Sequence, residues 1–154
     1  MCDRNIVFSI FDIDLAAVMN IDLLERTRKF TYDVLELAEM LPNTFLGNHI
    51  RGQLIRCGTS VSSNYRAARL AQSRASFVAK ISIVLEEADE TAFWCETIEV
   101  KGLVQDLLLY SVKKEANELT SLFISSRKTI QTGKLKNHNS SLRLRQQSPC
   151  LPLW

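Results

Sequence analysis

One patterned stretch of the chain spans residues 47–71 and reads GNHIRGQLIRCGTSVSSNYRAARLA. Core-type residues recur in it at intervals of four and three, the spacing that places side chains on one face of an α-helix. These residues are Ile50, Leu54, Cys57, Val61, Asn64 and Ala68. Asn64 is polar at a core position, so we expect it to bond a backbone carbonyl or a facing helix. Small residues that are poor helix formers occur at Gly58, Thr59, Ser60, Ser62 and Ser63, and we interpret them as allowing a neighbouring helix to approach closely.

Three further segments show helical periodicity, at about residues 20–41, 74–101 and 104–130. Pro42 ends the first of them, and Ser73 and Gly102 are the expected N-cap and stop of the segment at 74–101. The expected core residues are Leu23, Phe30, Val34, Leu37 and Leu41, then Phe77, Ile81, Val84, Ala88, Thr91, Cys95 and Ile98, and last Leu108, Val112, Ala116, Leu119, Phe123 and Ile130.

The composition agrees with a few long elements, because the 154 residues include only 5 Gly and 3 Pro. The short connections make neighbouring helices antiparallel. The predicted fold class is therefore all-α, an up-down antiparallel four-helix bundle over residues 19–130. Residues 1–18 lack a helical stripe and are expected to form a weakly ordered extension, and the basic residues 131–154 are expected to form a disordered tail.

Cysteine usage and hydropathy bear on where the protein works. Cys2, Cys57, Cys95 and Cys150 are far apart in sequence, and two of them fall on helical core faces, as reduced thiols in a cytosol do. The N-terminal residues are not typical of a secretory signal, and no uncharged apolar run approaches the roughly 18 residues of a membrane span. We expect a cytoplasmic protein with no membrane partner.

Charge is segregated along the chain although the net charge is only +2. The stretch from Met40 to Leu85 contains six bases and no acid, while residues 86–106 contain seven acids and one base, Lys101. Blocks of this kind serve either a partner surface or pairing within an assembly.

The residues from Gln53 to Ala68, QLIRCGTSVSSNYRAA, resemble the central motif of a family of small bacterial four-helix bundle proteins. This family includes the proteins encoded in ribosomal-RNA intervening sequences and the accessory variability determinants of diversity-generating retroelements. Similar segments follow at Ser73–Phe77 and Glu86–Glu90, and the resemblance covers about residues 20–130. It implies a helical bundle that assembles as a homopentamer. For the retroelement members it also implies binding to nucleic acid and to a reverse transcriptase.

Catalytic and metal-binding chemistry find little support in the sequence. The histidines are His49 and His138, and neither follows a Glu by three residues, as a di-iron bundle requires. The carboxylates at Glu86–Glu90 are expected to form a solvated or paired face rather than an acid–base pair. No phosphate-binding glycine loop or nucleophile motif is present. We therefore expect a protein that is not an enzyme and carries no metal or cofactor.

The basic block supplies the candidate functional residues. Arg51, Arg66 and Arg69 fall within about 60° of one another on a helical wheel, opposite the core face, and are expected to be exposed together. Arg forks bind phosphate oxygens in a bidentate manner. The candidate nucleic-acid-binding residues are Arg51, Arg66, Arg69, Arg74, Lys113 and Lys114.

A second hypothesis assigns the same charges to assembly. Phe93 and Val100 are large apolar residues on the outward face of their helix, beside the acidic Glu86, Asp89 and Glu96. These five residues are the candidate subunit interface, and their carboxylates are suitable partners for the arginines of a neighbouring subunit. The alternatives are an accessory protein that binds RNA or DNA, and a structural ring without a nucleic-acid role.

Overall fold

The computed structural model describes residues 21–132, which form four α-helices. They are α1 (Ile21–Glu39), α2 (Phe45–Arg69), α3 (Arg74–Lys101) and α4 (Leu107–Thr132). Consecutive helices pack side by side, and α4 returns to α1. The predicted all-α, up-down four-helix bundle is confirmed. The expected N-terminal extension and the C-terminal tail, apart from its first two residues, lie outside the described residues.

Local hydrogen bonds begin and end the helices where the sequence suggests, or within a few residues. The Ser73 hydroxyl accepts from the Ser76 amide, and Gly102 ends α3 in the left-handed region at φ 60°, so both predicted caps are confirmed. Thr44 accepts from the Gly47 amide and starts α2 slightly earlier than expected. Asp106 accepts from the Leu108 amide at 2.7 Å, which starts α4 at Leu107 rather than at 104.

The core follows the predicted faces except at three positions that are only partly buried, Asn64, Leu108 and Ile130. All seven predicted core residues of α3 are buried, from Phe77 to Ile98. In α2, however, Tyr65 is fully buried while Asn64 is only partly buried, and in α4 Leu109 replaces Leu108 as the more buried residue. A strict seven-residue pattern drifts around a helix of 3.6 residues per turn, and this drift rotates Asn64 toward α3 and Tyr65 into the core.

Gly58 sets the distance between α1 and α2. A Cβ added at Gly58 would lie 2.6 Å from Cγ1 of Val34. The closeness also allows the buried Thr31 hydroxyl to donate to the Gly58 carbonyl at 2.7 Å. The interpretation of this small residue as a close-packing site is confirmed. It does not extend to Thr59 and Ser63, which are exposed.

The junction between α1 and α4 contains charged side chains from both helices. These helices contact each other more sparsely than the other neighbouring pairs. Arg26 joins them, with its Nε 2.5 Å from Glu115 and its Nη2 2.6 Å from Glu118. A cleft of about 350 Å³ lies along the junction and is lined by charged side chains of both helices.

Candidate nucleic-acid interface

Basic side chains collect at one end of the bundle. The up-down topology places residues 21–24, 65–82 and 124–132 at the same end of the bundle. Two contacts between helices show that α2, α3 and α4 are level near this end. The Tyr65 and Phe123 rings are 5.7 Å apart, and Lys80 Nζ lies 3.3 Å from Asn64 Oδ1. In these three segments Asp22 is the one acid, and six residues are basic. We refer to this region as the basic end; its cations are Arg66, Arg69, Arg74, Lys80, Arg127 and Lys128.

Arg51 does not belong to this surface. It is half-buried, and its guanidinium donates to the Ala38 carbonyl at 3.1 Å and to the Leu41 carbonyl at 2.5 Å. The Ala38 carbonyl lies in the last turn of α1 and the Leu41 carbonyl just beyond its end, so Arg51 caps that helix. The prediction that Arg51 is exposed together with Arg66 and Arg69 is wrong. It lies at the other end of α2, and its donors are used within the fold.

The other arginines predicted to bind phosphate are available to different degrees. Arg66 and Arg74 are exposed. Arg69 is half-buried, and its Nε is buried with no hydrogen-bond acceptor among the described residues. It lies near the Tyr65 hydroxyl, whose pKa burial raises to about 12 although the Arg69 charge opposes the shift.

Asn64 orients Lys80 at the basic end. The Asn64 amide donates to the Ser60 carbonyl at 3.0 Å, and its oxygen accepts from the Lys80 ammonium of α3. The expectation that Asn64 bonds a backbone carbonyl or a facing helix is confirmed, because it does both. Lys80 was not among the predicted site residues. Its position in the stretch without acids, from Met40 to Leu85, could have identified it as a candidate.

Lys113 and Lys114 lie outside the basic end. Lys113 is 2.9 Å from Glu99 and 3.6 Å from Glu96, and the bond with Glu99 raises the pKa of the Lys113 ammonium. Lys114 lies 4.0 Å from Glu118, one turn further along α4. The structure therefore does not bring these two predicted residues together with Arg66, Arg69 and Arg74.

Arg56 explains part of the charge segregation. Its guanidinium bonds Glu87 at 3.0 Å and also bonds Glu90, linking α2 to α3 within one chain. The bond from Arg56, assisted by the Trp94 indole, lowers the pKa of the Glu90 carboxyl. The expectation of a paired or solvated carboxylate face is confirmed at Glu87 and Glu90, which pair with a base of the acid-free stretch.

The outward face of α3 carries the predicted apolar residues in exposed positions. Phe93 is 56% exposed and Val100 is 82% exposed. Glu86, Asp89 and Glu96 are exposed on the same side, although Glu96 already lies near Lys113 of its own chain. Phe93 continues into an aromatic row, since its ring packs edge-on against Trp94, which packs edge-on against His49.

The two described thiols are buried in the core. Burial raises the pKa of Cys95 to about 12 and raises that of Cys57, which accepts a hydrogen bond from Thr91 at 3.1 Å. Both thiols are therefore protonated at neutral pH. Among residues 21–132, the acidic, histidine and cysteine side chains form no group arranged to hold a metal ion. None of the described helices combines the length and apolar character needed to cross a membrane.

The fold and surface define a small all-α bundle with one basic end and an exposed apolar stripe on α3. Residues 19–125 match the family model of the 23S rRNA-intervening sequence proteins, and the chain belongs to this family. It is also similar to a solved protein of unknown function from the S23 ribosomal protein family of Bacteroides thetaiotaomicron. The two are 32% identical over 69% of this chain and 98% of that one, with a TM-score of 0.62. No curated protein matches the chain.

Proposed function

We propose that this protein is a non-catalytic accessory protein that binds nucleic acid through its basic end. The observation that carries the proposal is the collection of six cations against one acid in residues 21–24, 65–82 and 124–132. Separate parts of the sequence supply these cations, and the topology joins them.

The chemistry of the basic end suits phosphate groups. Arg66 and Arg74 present exposed guanidinium forks, and the partly buried Lys80 is held in place by Asn64. Arg forks match pairs of phosphate oxygens, and such contacts position a nucleic acid without reading its bases. We expect RNA and DNA of unrelated sequence to bind, with a strong dependence on salt concentration.

Assembly multiplies the effect of such a surface. A closed homo-oligomer, the pentamer that the family resemblance implies, would repeat the basic end in every subunit and increase avidity. A reverse transcriptase is the protein partner that the same resemblance implies for the retroelement branch. Detection of a complex between the two purified proteins would test this part of the proposal.

The test reverses charge at the basic end. Arg66→Glu with Arg74→Glu changes two exposed residues, and Lys101→Glu with Lys114→Glu makes the same change in net charge elsewhere on the molecule. We expect the first variant to lose at least about tenfold in affinity for a labelled RNA, and the control to lose much less. For the unmodified protein, the slope of log affinity against log salt is expected to be about −0.7 to −0.9 per phosphate contact.

Two outcomes decide against the proposal. Equal losses in the two variants would indicate attraction by net charge alone, and undetectable binding by the unmodified protein would exclude the function. Light scattering on the same samples measures the oligomer mass. It distinguishes phosphate binding from the alternative in which the arginines pair with acids of a neighbouring subunit. In that case Arg66→Glu dissociates the oligomer, while Arg74→Glu alone still reports on nucleic-acid binding.

A further inference from the structure

Leu70 is an exposed apolar residue in the turn that joins α2 to α3. Its side chain is 81% exposed, and among the described side chains at the basic end it is the one large hydrophobic group that is exposed. Backbone hydrogen bonds hold the turn in place. The Leu70 amide donates to the Ala67 carbonyl at 3.1 Å, and the following amide, of residue 71, donates to the Ala68 carbonyl at 3.0 Å. The leucine therefore has a fixed position and contributes little to packing within residues 21–132.

Two arginines flank Leu70. Arg66 lies four residues before it, one turn away on the same side of α2, and Arg74 lies four residues after it, at the first position of α3. Both side chains are exposed. A nucleic acid that places phosphate groups on both arginines therefore lies across the turn, with the Leu70 side chain beneath it.

The contact that Leu70 can make with a base differs from the contact that an aromatic ring makes. Tyr65, at the basic end, is fully buried. The exposed Phe and Tyr side chains of the described chain all lie outside the basic end: Tyr32, Phe45, Phe93 and Tyr110. Proteins that bind single strands stack bases on exposed rings, whereas proteins that bend a duplex insert an apolar side chain such as Leu between base pairs, with Arg and Lys beside it. The basic end has the second of these arrangements.

We propose that Leu70 is a wedge that enters a base-paired nucleic acid where the pairing is interrupted. The preferred ligand of the basic end is then a duplex with a bulge or a mismatch. This ligand class rests on the proposed function, since Arg66 and Arg74 must hold the backbone. A wedge has to separate stacked base pairs, and the free energy required is smallest where a base is mismatched or unpaired. The preference follows the shape of the duplex and not its sequence.

The fixed turn increases the effect of the wedge on affinity. Because the backbone of Leu70 is already ordered in the free protein, little conformational entropy is lost when the side chain enters the duplex. Burial of an exposed leucine side chain corresponds to a gain in affinity of at least about tenfold. The gain is obtained only on a duplex that opens easily. It is therefore measured as the ratio of the affinities for a bulged and a fully paired duplex.

Substitution of Leu70 tests the wedge. The probes are a labelled, fully paired RNA duplex and the same duplex with an unpaired adenosine at its centre. We expect the unmodified protein to bind the bulged duplex about tenfold more tightly, and Leu70→Ala to bind both duplexes equally. Leu107→Ala is the matched control, because Leu107 is 85% exposed and begins α4 at the opposite end of the bundle. It is expected to keep the preference, and Leu70→Met, which retains a long apolar side chain, is expected to keep most of it.

A fluorescent purine analogue beside the unpaired adenosine reports the insertion directly. Its fluorescence rises when it loses a stacked neighbour. We expect this rise with the unmodified protein and with Leu107→Ala, and no rise with Leu70→Ala.

Failure of the wedge and failure of the proposed function give different results. Equal affinity of the unmodified protein for the two duplexes, or an unchanged preference in Leu70→Ala, would overturn the wedge and leave salt-dependent binding through Arg66 and Arg74 in place. Absence of binding to either duplex would overturn both. Leu70→Ala is expected to melt at the temperature of the unmodified protein. A lower melting temperature would show that Leu70 packs against residues outside 21–132, and would also overturn the wedge.

Discussion

At Gly58 the absence of a side chain allows two helices to approach closely. We expect Gly58→Ala to destabilise the protein by about 1–3 kcal/mol, because the added methyl group overpacks against Val34. This is the net change, since the cost of overpacking exceeds the gain of about 1 kcal/mol in helix propensity from Gly to Ala. Urea unfolding of the variant measures the difference.

Gly52 in the same helix provides the control for that experiment. A methyl group there meets no atom within 4 Å, so Gly52→Ala is expected to stabilise the chain by about 0.5–1 kcal/mol. Opposite signs at the two glycines are the expected result. A stabilising Gly58→Ala would show that α1 moves away without cost.

A helical wheel does not predict which contacts a side chain makes with other helices, as Arg51 and the basic end show. The wheel placed Arg51 beside Arg66 correctly in angle, but it contains no information about the end of α1, where the Ala38 and Leu41 carbonyls accept from the Arg51 guanidinium. The six cations of the basic end come from two separate segments. Sequence patterns alone identified only three of them as candidates, because the level of α4 against α2 depends on the packed bundle.

Between elements, the pair of helices α2 and α3 is linked by Arg56 and its two carboxylate partners. The pKa of Glu90 lies below its ordinary value because Arg56 bonds the ionised form. This bond stabilises the fold above the pKa of about 4.3 of an unfolded Glu and is lost as the pH falls through the lower folded pKa. We expect Arg56→Gln to lose about 0.5–1 kcal/mol at pH 7 and to approach the unmodified protein as the pH falls through the lowered folded pKa of Glu90.

Thermal melts between neutral and acidic pH measure this convergence. Glu39→Gln, at an exposed carboxylate of α1, is the control and is expected to change stability little at any pH. A deficit of Arg56→Gln that stays constant with pH would contradict the role of the ion pair.

Helix boundaries were predictable to within about two or three residues, and the differences have local causes. Ser73 and Gly102 are standard capping residues, so the sequence alone identified both ends of α3. Periodicity alone could not separate the start of α4 from the preceding turn. The side chain of Asp106 decides that start by accepting from the Leu108 amide.

For the whole molecule, residues beyond 132 are expected to add charge and not stability. The buried core extends from Leu23 to Phe123 within the described chain. A chain that ends at residue 132 is therefore expected to keep its melting temperature but to bind RNA more weakly, because residues 133–154 contain four bases and no acid. Melts and binding titrations of the two lengths measure this, and a stability loss above about 2 kcal/mol would contradict it.

The sparse junction of α1 with α4 has a consequence for the order in which the bundle opens. Helix α1 packs closely against α2, and its sparser junction with α4 includes the ion pairs of Arg26. Salt screens partly exposed ion pairs, whereas it leaves the apolar contacts of α2 with α3 intact. The amide protons of α1 should therefore exchange with solvent through a sub-global opening at a lower free energy than those of α2 and α3, and the gap should widen as ionic strength rises.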